Sequence, residues 1–344
     1  MANIRYWLAL SACLASALVF SQEPDYLRGL TPYRAQDRVA GTIRVYGNPY
    51  IPELVNAWEE GFRKHQPGVA FRNDLKGTEA AMAGLYGDVA DVVFVGREAY
   101  RAETEAFRER FGYPPTEIRI TSGSYATPHK TFALMVYVHK DNPVSKLSFK
   151  QLDALYSAER RRGAREPITT WGQLGAKGEW AHRPVHVYGY NFDTGMARFF
   201  RLTVLKDSYR WNPDMKEFDN GRDAKGEVIN AGTYITQAIA KDPDGIGFSN
   251  VMFGNDNVKA LALSESDAGP FVLPSKETAF QRSYPLTRYS TAFINRAPGK
   301  PVDPRVREFL RYILGKDGVE AVVRDGAFLP LNANAIREQL KQIQ

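Results

Sequence analysis

The 344-residue chain contains a single cysteine, Cys13. One thiol excludes an internal disulfide, a cysteine-rich metal site and dithiol redox chemistry. Histidine is also scarce: His65, His129, His139, His182 and His186 are the whole set, and none sits in a metal-ligand spacing with Cys or Glu. No Gly-x-Ser-x-Gly elbow and no Walker loop is present. Asp193-Thr194-Gly195 matches the triplet of aspartic proteases, but that chemistry needs two aspartates sharing a proton, and the triplet does not recur. The chain carries no repeat, no low-complexity tract and no nucleic-acid-binding signature. No catalytic residue, metal site or cofactor is therefore assigned, and a non-enzymatic role is expected.

What is present is globular. Hydrophobic residues make up 44% and charged residues 24%, enough apolar material for a core, and the net charge of +6 is spread along the chain. That bias favours small anions or a negative surface. Met1 to Arg5 is basic, Tyr6 to Phe20 is almost wholly apolar, and Val19-Phe20-Ser21 offers a cleavage site before Gln22. Residues 1–21 therefore read as a secretory signal peptide, too short in its apolar part for a comfortable membrane span. Leu10-Ser11-Ala12-Cys13 also looks like a lipoprotein cleavage box, so anchoring through Cys13 is the alternative to cleavage near Ser21. A periplasmic or exported protein is expected.

Gln22 to Arg38 is polar and proline-bearing and reads as a linker. Strands and helices then alternate. Gly41 to Gly47 is a strand ending at the turn Gly47-Asn48-Pro49. Ile51, Leu54, Val55, Trp58 and Phe62 follow at helical spacing. A strand begins at Val69, Lys76-Gly77-Thr78 opens an alanine-rich helix, and Ala90 to Gly96 is an apolar strand before Arg97-Glu98. Arg101 to Gly112 is a charged helix. Thr131 to Val138 reads as a strand long enough to pass between two lobes. Arg160 to Arg165 is a basic run read as a solvated loop. Further on, Val258 to Leu263 and Ser290 to Ile294 read as strands, and a helix from Pro304 continues through Gly318 to Val323. Alternation of this kind implies an α/β protein with mainly parallel sheets.

One stretch organises the rest. Val185 to Met196 reads as a buried strand and a short polar turn, leading into a helix over Ala197 to Leu202. A turn that presents backbone N–H groups at a helix N-terminus suits an anion. Together with Ser148 to Leu152, Ile168 to Gly175, Asp244 to Ser249, Tyr284 to Arg288 and Gly326 to Leu331, it resembles the phosphate-type solute-binding proteins of ABC importers, in the type 2 periplasmic binding protein superfamily. The resemblance runs from about Val39 to Leu331. It implies a two-lobe fold, each lobe a mixed, mostly parallel sheet flanked by helices, with two crossing strands as a hinge. Lobe one would be 39–131 plus 284–344, and lobe two 132–283.

The resemblance also implies a ligand: phosphate or a related small oxyanion, held in the interlobe cleft and passed to an ABC permease by a monomeric carrier. Its anion loops fall on Gly47, Asn48, Pro49 and Tyr50; on Lys76, Gly77 and Thr78; and on Arg97 and Glu98. The lobe-two motif Arg-Asn-x-x-Ser-Gly-Thr falls on Tyr190, Asn191, Phe192, Asp193, Thr194, Gly195 and Met196. Two departures stand out. Tyr190 replaces an arginine whose fork would grip phosphate, and Met196 replaces a hydroxyl donor. Asp193 adds a negative charge. Under one reading Lys76 and Arg97 supply the missing positive charge, and Glu98 accepts a hydrogen bond from the hydroxyl of a protonated oxyanion. Under another, the ligand has changed or been lost, and the fold serves as an envelope sensory or interaction module. A hydrolase of phosphate esters is a third reading, disfavoured by the lack of a metal cluster.

Overall fold

The computed structural model describes residues 26–344; the expected signal peptide and Cys13 lie outside the described residues. The chain forms two α/β lobes, each built on a five-stranded sheet. In the first sheet the order is Val69–Asp74, Gly41–Gly47, Val92–Val95, Ser290–Ile294, Thr116–Thr121. In the second it is Val258–Ala260, Met135–His139, Gly245–Ser249, His186–Tyr190, Lys216–Phe218. Three strands in each sheet run parallel. Ser290–Ile294 and Met135–His139 run antiparallel to their neighbours, because each enters its sheet from the opposite lobe. Because the edge strand beyond each of these is antiparallel to it in turn, four of the five strands in each sheet point the same way, and the sheets are mixed but mostly parallel.

The parallel part follows from local sequence. Ile43 and Val45 point inward from the first strand while Arg44 and Tyr46 do not. Pro52 occupies the first turn of the helix Pro52–His65, where its missing N–H is no loss. That helix buries Leu54, Val55, Trp58 and Phe62 on one stripe, and Phe62 meets Phe309 at 5.3 Å between ring centroids. The second lobe centres on Phe200 stacked against Phe248 at 4.0 Å, with Tyr156 edge-on to Phe200 at 5.0 Å. Its core runs from Phe132 to Leu286, so Tyr284 and Leu286 pack with the second lobe, beyond the expected boundary at 284.

The crossing is tight. Ser124 N donates to Thr131 O at 2.8 Å, and Leu134 N donates to Leu286 O at 3.0 Å, which ties the outgoing and returning segments together. Gly123 allows this approach. It has φ +66°, and a Cβ there would stand 2.4 Å from the Thr131 carbonyl. The regular strand starts only at Met135, so the expected strand from Thr131 is half crossing segment.

Other expectations change because partners lie far away in sequence. Val258 to Leu263 splits: Leu261 N still bonds Val136 O, but Ala262 N turns to Ser145 O, and Ala262–Ser264 pairs with Lys146–Ser148. Gly318 to Val323 belongs to a separate helix, Lys316–Asp325. The strand Thr116–Thr121 carries the alternation of Ile118 and Ile120 inward with Glu117 and Arg119 outward, and was not among the expected elements. The stretch read as a linker docks onto lobe one. Tyr33 is buried and its hydroxyl donates to Glu308 Oε2 at 2.7 Å, while its backbone N donates to Asp317 at 2.6 Å. Among the described residues no helix is long and apolar enough to cross a membrane.

Candidate functional site

Three loops of lobe one converge at the C-terminal ends of its parallel strands. Gly77 N donates to Gly47 O at 3.1 Å, joining the first and second loops. Asn48 is buried, with its N donating to Phe94 O at 3.1 Å and its Oδ1 accepting from Tyr50 N at 2.9 Å. The Asn48 amide also packs on Gly96, where a Cβ would come within 3.1 Å of Nδ2. Gly96 leads into Arg97 and Glu98, and its carbonyl accepts from Thr131 Oγ1 at 2.8 Å. Thr78 is buried as the first residue of the helix Thr78–Tyr86, with Gly77 as its N-cap. Pro49 and Tyr50 are exposed, and the Tyr50 ring stacks on His129 at 5.3 Å.

Lobe two meets this edge directly. The helix Gly195–Thr203 starts against Arg97, and a Cβ on Gly195 would lie 3.3 Å from Arg97 Cβ. Tyr100 Oη donates to Asp193 O at 2.9 Å across the lobes. Thr194 is the N-cap: its hydroxyl accepts from Ala197 N at 3.2 Å and donates to Asn191 O at 2.9 Å. The Asp193 side chain is exposed. The structure thus brings the loops of Asn48, Gly77 and Gly96 together on lobe one and sets Gly195, after the Thr194 cap, against Arg97 at the lobe boundary.

The charges are arranged differently from the sequence expectation. Lys76 points to solvent, 83% exposed, at 3.7 Å from Asp74. Arg97 is buried, but its fork grips Glu103 at 2.7 and 2.9 Å and Glu79 at 3.1 Å. Burial alone would lower the Arg97 pKa; the two carboxylates outweigh it and hold the guanidinium charged. Burial would raise the Glu79 pKa, but its own backbone N–H and Arg97 outweigh that and hold it below the usual carboxylate range. The lone positive charges expected on Lys76 and Arg97 are therefore already answered by carboxylates.

Tyr190 does not face the seam. It is wholly buried in the second core, 5.7 Å from Phe248. Its hydroxyl lies beside Ser249 Oγ, which donates to Gly232 O at 3.0 Å. Burial pushes its pKa up, so the phenol stays neutral. The positive charge near Tyr190 comes instead from Arg288, in the returning crossing segment. Arg288 is buried and bonds Glu98 at 2.7 and 3.3 Å, so Glu98 is paired rather than an open acceptor. Arg288 lies in the family-like segment Tyr284 to Arg288, but its approach to a site in the loop after Gly96 depends on the crossing.

Comparison with known proteins places this geometry. The model of the PBP superfamily domain matches residues 33–317. A phosphate-binding protein PstS from Pseudomonas aeruginosa is 30% identical over 315 residues, covering 91% of this chain and 90% of that protein. Two solved structures share the fold. PstS from Borrelia burgdorferi has a TM-score of 0.54 at 13% identity, covering 85% of this chain and 99% of its own. An ABC-type phosphate transport receptor from Vibrio cholerae has a TM-score of 0.51 at 16% identity, covering 84% and 100%.

Proposed function

The chain belongs to the PBP superfamily, and from that premise we propose that it is an exported solute-binding protein that captures phosphate in the seam between its lobes and delivers it to an ABC permease. It acts as a monomer and performs no chemistry on its ligand. The lobes are 39–131 plus 284–344 and 132–283, with the packing boundary of the return shifted past Leu286. The observation that carries the reading is that two helix starts from different lobes both adjoin Arg97: Glu79 in the first turn of the helix Thr78–Tyr86 pairs with it at 3.1 Å, and Gly195 packs against its Cβ.

Each helix end offers unsatisfied N–H groups and the positive end of a dipole. An anion placed between them is held by both lobes, so binding favours closure. Asn48 and the Thr78 hydroxyl supply neutral donors. Arg97 and Arg288 supply fixed positive charge, each balanced by carboxylate. This arrangement suits a protonated phosphate. Its hydroxyl donates to Glu79 Oε2, the oxygen that Arg97 does not take, while its ionised oxygens take the N–H groups. Lys76 has no part in it.

Calorimetric titration of the protein lacking residues 1–21 with phosphate, sulfate and molybdate tests this. Phosphate is expected to give saturable heat and a higher melting temperature. Lys76→Ala should change the affinity by less than about twofold, as an exposed charge does. Absence of heat and thermal shift with all three anions would overturn the reading. That outcome would favour an envelope sensory or interaction module with a changed ligand, a reading supported by the carboxylates already facing Arg97 and Arg288.

A further inference from the structure

Beyond Arg97 the interlobe space widens into a second cavity of about 590 Å³, lined by neither Asn48, Thr78 nor Thr194. The volume falls in the range of about 300–1,000 Å³ typical of small-molecule sites, far more than a single oxyanion needs. Six arginines line it, against three acidic residues. Three of the arginines are already paired: Arg97 with Glu103 and Glu79, Arg288 with Glu98, and Arg198 with Asp207. The other three, Arg101, Arg119 and Arg282, have no carboxylate in ion-pair contact among the described residues. Glu117 is the acidic residue left over; it lies near Arg119 without touching it.

Two of the three unpaired charges are held in place. Arg282 donates from Nη1 to Arg288 O at 3.1 Å and from Nη2 to Thr287 O at 3.2 Å. Its guanidinium sits 3.4 Å from the Tyr289 ring centroid, and that of Arg119 sits 4.3 Å from the same ring. Two like charges thus share one aromatic ring. Burial, with the repulsion from Arg119, pulls the Arg282 pKa down to about 10. A bound anion is what such a pair lacks, and guanidinium forks match phosphate oxygens in geometry.

We propose that this cavity is a second anion site, taking a small polyanion of the diphosphate class that bridges Arg101 and Arg119 of lobe one and Arg282 of lobe two. Adjacent phosphate groups match a cluster of cations, and Phe199, Phe293 and Pro114 line the same cavity. Because both lobes contribute, occupancy holds the molecule closed. The site does not depend on the phosphate reading of the loop seam.

Inorganic pyrophosphate is the probe, titrated calorimetrically into protein saturated with inorganic phosphate and, separately, into phosphate-free protein. Pyrophosphate is expected to bind in both. The double variant Arg119→Gln/Arg282→Gln should weaken pyrophosphate binding at least about tenfold while its phosphate isotherm stays unchanged. Arg101→Glu, at an exposed helix start where folding is not at stake, should weaken it about fivefold. No pyrophosphate heat in either titration, or affinities unchanged in both variants, would overturn the proposal. Binding of pyrophosphate without any response to phosphate would support this site and count against the loop seam.

Discussion

Glu59 lies on the inner face of the helix Pro52–His65 with 5% exposure. Asn73 Nδ2 donates to its Oε2 at 3.1 Å, and Oε1 has no partner. Burial raises its pKa to about 7; the Asn73 bond and Arg63 offset part of that rise. Between the ordinary value of 4.5 and about 7 the folded protein binds the proton more tightly than the unfolded chain. Stability attributable to Glu59 is therefore greatest at acid pH, falls as pH rises through that window, and is flat above it. The loss is on the order of 3 kcal/mol. Urea unfolding at pH 5 and pH 8 checks this: the Glu59→Gln variant should lose the decline seen in the parent protein. Equal pH slopes in the two proteins would show that the carboxyl is not buried as described. Glu308 is the contrasting case. It is fully buried too, but Tyr33, Gln36 and Arg311 all donate to it.

The helix Gly195–Thr203 is held at both ends. Thr194 caps its start, and Arg162 donates from Nη2 to Thr203 O at 2.6 Å and from Nε to Val204 O at its end. Arg162 also stacks over Phe149 at 5.0 Å, and its backbone N bonds the buried Asp153. A cation at a helix C-terminus satisfies orphan carbonyls and complements the dipole that points its positive end at the seam. Arg162→Ala should cost about 1–2 kcal/mol in chemical denaturation. A change below about 0.3 kcal/mol would mean that water replaces the guanidinium without loss. The run Arg160 to Arg165 reads as a solvated loop because a charge run carries no sign of what it will cap. The Thr194 cap is a local device by contrast: its hydroxyl accepts from Ala197 N without any distant partner.

At the scale of the molecule, the two lobes touch through Gly195 against Arg97, Tyr100 against Asp193, and Arg198 Nη2 to Ala99 O at 3.4 Å. These contacts join the lobes beside the seam, and the absence of a Cβ at Gly195 permits the approach to Arg97. A leucine at 195 has to displace Arg97 and so separates the lobes at the seam. Gly195→Leu should weaken phosphate binding at least about tenfold, because closure then costs several times RT. Small-angle scattering supplies the structural readout: the parent protein should contract on adding phosphate and the variant should not. A variant that contracts normally would show that closure does not pass through this contact.

The sequence by itself determined most of the elements and their order, though not the strand Thr116–Thr121 or the split of Val258 to Leu263. Period-2 and period-3.6 apolar patterns, a proline at a helix start and glycines at turns act over a few residues, so they are readable without a partner. For the same reason it placed the loops at Gly47, Gly77 and Gly96 and the polar turn that ends at Thr194. Only the tertiary structure decided where charge resides. Tyr190 turned into the second core because a strand residue's side depends on the pleat and on what packs over it. Lys76 swung to solvent, Arg97 was taken by Glu79 and Glu103, and Arg288 arrived from the returning crossing. Such pairings depend on distances of a few ångströms between residues far apart in the chain, and Coulomb energies in a partly dry seam turn on those distances.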